Sequence, residues 1–246
     1  MLKRFILITI VLLTVWQTIV MVFHLPPYIL STPIQVFKTL FLDRALILTQ
    51  TIPTLIETLL GFLFGALFGI LSAIFIMYFR LARLWFLPIL LISQAIPTFA
   101  IAPILVVWFG YGITSKIITT IIMLFFPITH SFYDGLRRTN FVWLDLAKTM
   151  NASKWQTLLH IQIPAALPSL ATGLRVAAAI APIGAIVGEW VGSSRGLGFL
   201  MLNANARLQI NVMFAALLMI ALLTIGLYFT VDRLLKVAIP WQKEEI

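Results

Sequence analysis

The chain has 246 residues, 61% of them hydrophobic and 10% charged, with a mean hydropathy of +1.07. A soluble domain carries nearer a quarter charged residues, so this composition excludes water as the main solvent and points to a lipid bilayer. The net charge of +9 forms no basic stripe, which excludes a nucleic-acid face, and the lack of cysteine excludes disulfides and thiolate metal sites.

The first element runs from Phe5 to Phe23, after Lys3 and Arg4 and before Pro26-Pro27. A signal peptide would have a shorter apolar core and a small-residue cleavage site, so this run reads as an uncleaved first transmembrane helix. Residues 28–40 open with turn residues and continue as an amphipathic helix suited to the outer surface. Five further spans follow at Thr54–Phe79, Leu84–Trp108, Ile113–Tyr133, Ser169–Val191 and Asn211–Leu235, each long enough to cross the hydrocarbon core. Gly61, Gly65 and Gly69 recur every four residues in the second, a smooth stripe for close helix approach. The third holds Pro88, Pro97 and Pro103 and is expected to be kinked or broken. The fifth carries Arg175 and Pro182 and is the most polar of the six. The predicted fold is therefore an all-α integral membrane protein with six transmembrane helices in one domain, residues 1–246, without linker or repeat.

Six spans place both termini on one side. The basic residues on that side are Lys3, Arg4, Arg80, Arg83, Arg137, Arg138, Lys148, Lys154, Arg233, Lys236 and Lys243, eleven in all. The other side has five, Lys38, Arg44, Lys116, Arg195 and Arg207, with Arg175 inside a span. Positive charge favours the cytoplasm, so both termini are expected there. The longest cytoplasmic loop then contains DLAKTMNASKWQTLLHIQIP, residues 145–164, too polar for lipid. Asn140 is placed to cap a helix through about Met150, and Asn151 to end it, because Asn tolerates the left-handed conformation. Ser153 with Gln156 three residues on has capping-box spacing, predicting a second helix from Lys154 that Pro164 limits. A slack connector would not need two capped helices.

Enzymatic and metal chemistry find no support in this pattern. His24, His130 and His160 share no ligand spacing, no nucleophile–base arrangement stands out, and there is no Walker A sequence to bind ATP. One ionisable residue does fall near the outer end of the fifth span: Glu189, in Val187-Gly-Glu-Trp-Val-Gly-Ser-Ser-Arg-Gly-Leu-Gly198. Such a residue faces a protein interior or a water cavity. Two readings stay open, a translocation-pathway residue or a structural ion pair with Arg195 or Arg175. Glu57, close to the outer end of the second span, reads as interfacial.

The loop resembles the cytoplasmic signature of ABC-type importer permeases: E-A-A, three residues, G, nine residues, I, one residue, L-P. Asp145-Leu146-Ala147 stands at E-A-A, Asn151 at the Gly, and Ile161, Ile163 and Pro164 at I-x-L-P, with no gap. The identities depart at the acid, the middle residue, the Gly and the penultimate residue, so the role of Asp145 transfers less directly than the spacing. Tyr28 to Val36, Pro97 to Pro103, Trp108 to Gly112 and Ile186 to Gly198 look like the branch serving sulfonates, taurine, nitrate and thiamine-related pyrimidines.

The resemblance implies a type I ABC importer permease fold with a coupling-helix pair in loop 140–164. It implies a homodimer of permeases on a dimer of cytosolic ABC ATPase subunits, fed by an extracytoplasmic solute-binding protein, in the cell inner membrane. ATP would be bound and hydrolysed by the partner, so the chain itself would be no enzyme and hold no cofactor. The ATPase contact would centre on Asp145, Ala147 and Asn151, with Leu158 and Leu159 as an apolar docking face. The expected solute is a thiamine-precursor pyrimidine, with sulfonate, taurine or nitrate as alternatives. An ion-gradient-driven secondary transporter is the alternative class, and it would show intramembrane acids and inverted repeats.

Overall fold

The computed structural model describes residues 2–93 and 95–241, with side chains from residue 7 onward. The side chains of Lys3 and Arg4, and the whole of Lys243, lie outside the described residues. All regular structure described is helical. Helix α1 is Leu2–Val22, α2 Pro33–Leu42, α3 Arg44–Tyr78, α4 Arg80–Ser93, α5 Thr98–Phe109 and α6 Ile113–Arg137. Then come α7 (Phe141–Thr149), α8 (Lys154–Thr157), a π-helical turn (Leu158–Gln162), α9 (Ile163–Gly192), α10 (Leu197–Ala206) and α11 (Ile210–Ala238).

Among the described residues four helices are long and apolar enough to span a bilayer: α3, α6, the continuous run Lys154–Gly192, and α11. The predicted third span is broken. Helices α4 and α5 meet at a bend of 102° and count as a fifth crossing only if taken together. Pro97 sits at the N-cap of α5, where its missing N–H costs no helical hydrogen bond. The apolar part of α1, Leu7–Val22, is shorter than the four long helices.

Three predicted boundaries need correction. The second span begins at Arg44 rather than Thr54, and Pro53 lies inside it. The hydroxyls of Thr49 and Thr51 donate to the Leu46 and Ile47 carbonyls of the preceding turn. Pro164 does not end the helix begun at Lys154. The π-helical turn precedes it, closed by the Ile163 N–H donating to Leu158 O, and Pro164 then opens α9 at a position where proline is tolerated. The third correction is α10, an element too short for the spanning pattern and absent from the prediction.

Helix α6 is the axis of the fold, held between α3 and α9. Lipid tails are as apolar as the side chains they touch, so close packing rather than water exclusion drives this association. The glycine stripe on α3 provides it. A Cβ at Gly61 would overlap the Thr120 side chain, and one at Gly69 would lie 2.9 Å from Ile128. The opposite side of Thr120 receives Gly184 of α9, where a Cβ would stand 2.9 Å from the Thr120 Cα. Leu124, Ile128, Phe132 and Leu136 of α6 are buried along this seam. A second cluster joins Val36 of α2, Ile47 of α3, Ile186 of α9, Leu197 and Leu200 of α10 and Ala215 of α11. The first cluster continues toward the end that carries α7 and α8, and the second packs the end that carries α10.

Candidate functional sites at the two ends of the bundle

The loop between α6 and α9 is ordered by local hydrogen bonds. The Asn140 side chain accepts from the Val142 N–H at 2.9 Å and caps α7. At the other end Asn151 has φ of 53°, the Ala152 N–H donates to Ala147 O at 2.9 Å, and the Asn151 N–H to Lys148 O at 3.0 Å. This is the Schellman arrangement, in which a left-handed residue closes a helix. Ser153 then caps α8. Its hydroxyl accepts from the Gln156 N–H at 3.2 Å, and the Gln156 side chain accepts from the Ser153 N–H at 2.8 Å. The reciprocal pair is the capping box that the Ser153–Gln156 spacing predicts.

The residues expected to meet an ATPase do not share one face. Asp145 is exposed and pairs with Lys148 at 2.8 Å, Asn151 is exposed, and Leu159 is 44% exposed. Ala147 and Leu158 are buried and anchor the loop from within. The apolar surface open to a partner comes from residues the sequence reading did not single out: Phe141, Val142, Leu146 and Met150 of α7 and its cap, with Trp155 of α8. Trp155 also packs edge-on against Tyr78 at the end of α3, ring centroids 5.6 Å apart. Helical spacing could have flagged Val142, Leu146 and Met150, which recur every four residues, but not which way that stripe faces.

At the opposite end, Glu189 is 1% exposed and Glu57 is 3% exposed. Glu57 is therefore interior rather than interfacial. Helix α10 starts at Gly196-Leu197-Gly198 and has no side-chain cap of its own. The N–H groups of its first turn would be left without partners, and side chains of α3 and α9 supply them. Gln50 Oε1 accepts from the Gly196 N–H at 2.7 Å, and Thr54 Oγ1 accepts from the Leu197 N–H at 2.8 Å. Thr54 donates onward to Glu189 Oε1 at 2.5 Å, and Glu189 Oε2 accepts from the Gly198 N–H at 2.6 Å. A carboxylate at a helix N-terminus is also favoured by the helix dipole. Gly196 has φ of 111°, and a Cβ there would overlap the Glu189 carboxyl, so only glycine fits.

The Glu57 carboxyl lies beside that of Glu189, and its Oε2 is buried without a partner. Lys116 of α6, 3% exposed, is the neighbouring cation for both carboxyls, while its Nζ donates to Tyr111 O at 2.7 Å and Gly112 O at 2.8 Å. Neither Arg175 nor Arg195 takes the place foreseen for it. Arg175 pairs with Asp232 of α11 at 2.7 Å, and the Arg195 carbonyl accepts from the Ser193 hydroxyl in the turn before α10. Among the described residues no group of three His, Asp or Glu could hold a metal ion.

Comparison with known proteins agrees with this architecture. Residues 65–243 match the family model described as "Binding-protein-dependent transport system inner membrane component". A "Probable ABC transporter permease protein" of Haemophilus influenzae is 52% identical over 225 residues, 92% of each chain. The formylaminopyrimidine transport permease protein ThiX of Halalkalibacterium halodurans is 36% identical over 89% of this chain and 88% of its own. In fold, the chain is similar to the inward-facing MetNI methionine ABC transporter, with a TM-score of 0.69 at 20% identity, over 79% of this chain and 96% of that one. The polar loop with the importer-permease spacing and the helical architecture thus agree with the family match: the chain belongs to the binding-protein-dependent transport system inner membrane components, the permeases of ABC importers.

Proposed function

We propose that this permease forms, as a pair of identical subunits, the path by which a small pyrimidine enters the cell. In this reading the chain crosses the inner membrane six times, with α1 as the first crossing and both termini in the cytoplasm. Loop 140–157 then lies in the cytosol. There it seats on a separate ATPase subunit, whose ATP-driven closure moves it. The opposite end, with α2 and α10, receives the solute from an extracytoplasmic binding protein. Membership of the importer family sets aside the ion-gradient-driven alternative. The pyrimidine assignment is supported by the likeness to ThiX over nearly the full length of both chains.

The observation that carries the docking role is the fully capped loop. Three separate caps hold α7 and α8 in a fixed relation, and this order presents Phe141, Val142, Leu146 and Met150 as an exposed apolar surface. Asn151→Val places a β-branched side chain at a positive φ, which such residues strongly disfavour, and so tilts α8 against α7. The expected result is loss of most ATPase co-purification while the permease still inserts in the membrane. Retained co-purification and transport would overturn the docking role. For the solute, uptake of labelled formylaminopyrimidine by cells carrying the full transporter is expected. Uptake of taurine, a sulfonate or nitrate in its place would replace that assignment and leave the docking role standing.

A further inference from the structure

The densest polar cluster of the interior is the one joining Glu57, Glu189, Thr54 and Lys116, and the docking role makes no use of it. Two buried carboxyls and an ammonium are expensive in a membrane protein. Packing alone does not require them, because α10 already adds Leu197 and Leu200 to an apolar cluster. What the polar groups add is a fixed set of acceptors for the first turn of α10. Ser193, Ser194 and Arg195 link the end of α9 to this turn, the last two exposed.

We propose that Glu189 and Thr54 form a latch that holds α10 down across the outer ends of α3 and α9, closing the solute path on the side away from the ATPase. These are positioning residues: they act by fixing α10 and need not touch solute. Glu189 accepts from the Thr54 hydroxyl through Oε1 and from the Gly198 N–H through Oε2, so both of its oxygens hold the first turn of α10. Glu57 lies beside Glu189 in the same buried cluster, and its Oε2 has no hydrogen-bond partner. Lys116 of α6 is the buried cation nearby, its ammonium held by the Tyr111 and Gly112 carbonyls. A polar latch also differs from an apolar one in how it opens. Water entering from outside can satisfy each freed N–H and oxygen as α10 lifts.

The proposal rests on the reading of this chain as the solute path, and it has a test whose readout is independent of transport. The chain contains no cysteine, so Ala204→Cys on α10, at a residue 2% exposed, introduces a single thiol. Its rate of modification by a membrane-impermeant maleimide reports how often α10 lifts. The measurement uses the full transporter with ATPase and binding protein, in proteoliposomes.

Glu189→Gln removes the anion that accepts from α10, and Thr54→Val removes one hydroxyl at constant shape. Each is expected to speed labelling roughly tenfold or more, since each breaks a hydrogen bond involving the charged group. Glu57→Gln leaves the acceptors of the α10 turn in place, and it is expected to label within about twofold of the parent. Thr54→Val decides the question if Glu189→Gln fails to assemble. Unchanged labelling in Thr54→Val, or Glu57→Gln labelling as fast as Glu189→Gln, would overturn the latch. If labelling follows the expected order while the parent transporter imports no solute and binds no ATPase, the latch stands and the permease reading of its purpose falls.

Discussion

The loop at residues 140–157 and the carboxyl cluster around Glu189 are both polar islands in an apolar chain. The loop is closed by hydrogen bonds between residues at most five apart, such as Ala152 to Ala147. The cluster is closed by one spanning 135 positions, Thr54 to Glu189. The loop keeps its shape using its own residues and leaves its surface free for a partner. The cluster has no surface, and it ties three helices and a fourth short one together through groups that cannot be reached from solvent. Local order suits a part that must be gripped, and long-range order suits a part that decides whether two helices stay together.

The largest effect that would test this contrast is at Glu189. Glu189→Ala leaves the Thr54 hydroxyl and the Gly198 N–H without their buried acceptor, and the expected loss is about 3–5 kcal/mol. A clearly lowered melting temperature of the detergent-solubilised permease is the readout, and an unchanged one would mean that the cluster holds nothing. Next comes Ser153→Ala, which removes one cap from α8 for about 1 kcal/mol. Because the loop is locally closed, amide exchange should accelerate within 153–157 only. Faster exchange in α10 would break the distinction between the two regions. The smallest change is Asp145→Asn. Its ion pair with Lys148 is exposed on both sides, so no measurable change in melting is expected. Weaker ATPase co-purification at unchanged stability would mark Asp145 as a contact residue, and full co-purification would remove it from the interface.

The same contrast explains what the sequence could show. Asn140, Asn151, Ser153 and Gln156 were legible because capping is written in residues a few positions apart, and the structure forms each of those bonds. The glycine stripe was legible for the same reason, as a helical period, although its partner on α6 was not. Glu57 read as interfacial because its nearest polar neighbour lies in another span. The start of α3 was hidden by Pro53, which normally marks a boundary and here sits inside a helix. Helix α10 was missed because its apolar residues are too few for a span and its cap comes from α3 and α9 rather than from its own flank. The inward turn of Leu158 depends on a π-helical register that no local spacing announces.

That π-helical turn has a mechanical meaning. Because it carries the chain past Pro164 without a coil, Lys154 to Gly192 is one uninterrupted helix of 39 residues, roughly 58 Å long at the usual rise per residue. Its first turn is α8, the second half of the exposed loop, and Glu189 stands within its last turn. A push or twist applied to the loop has no slack joint in which to dissipate before it reaches the carboxylate. The two polar islands are the two ends of a single stiff shaft, and whatever grips one end holds a handle on the other.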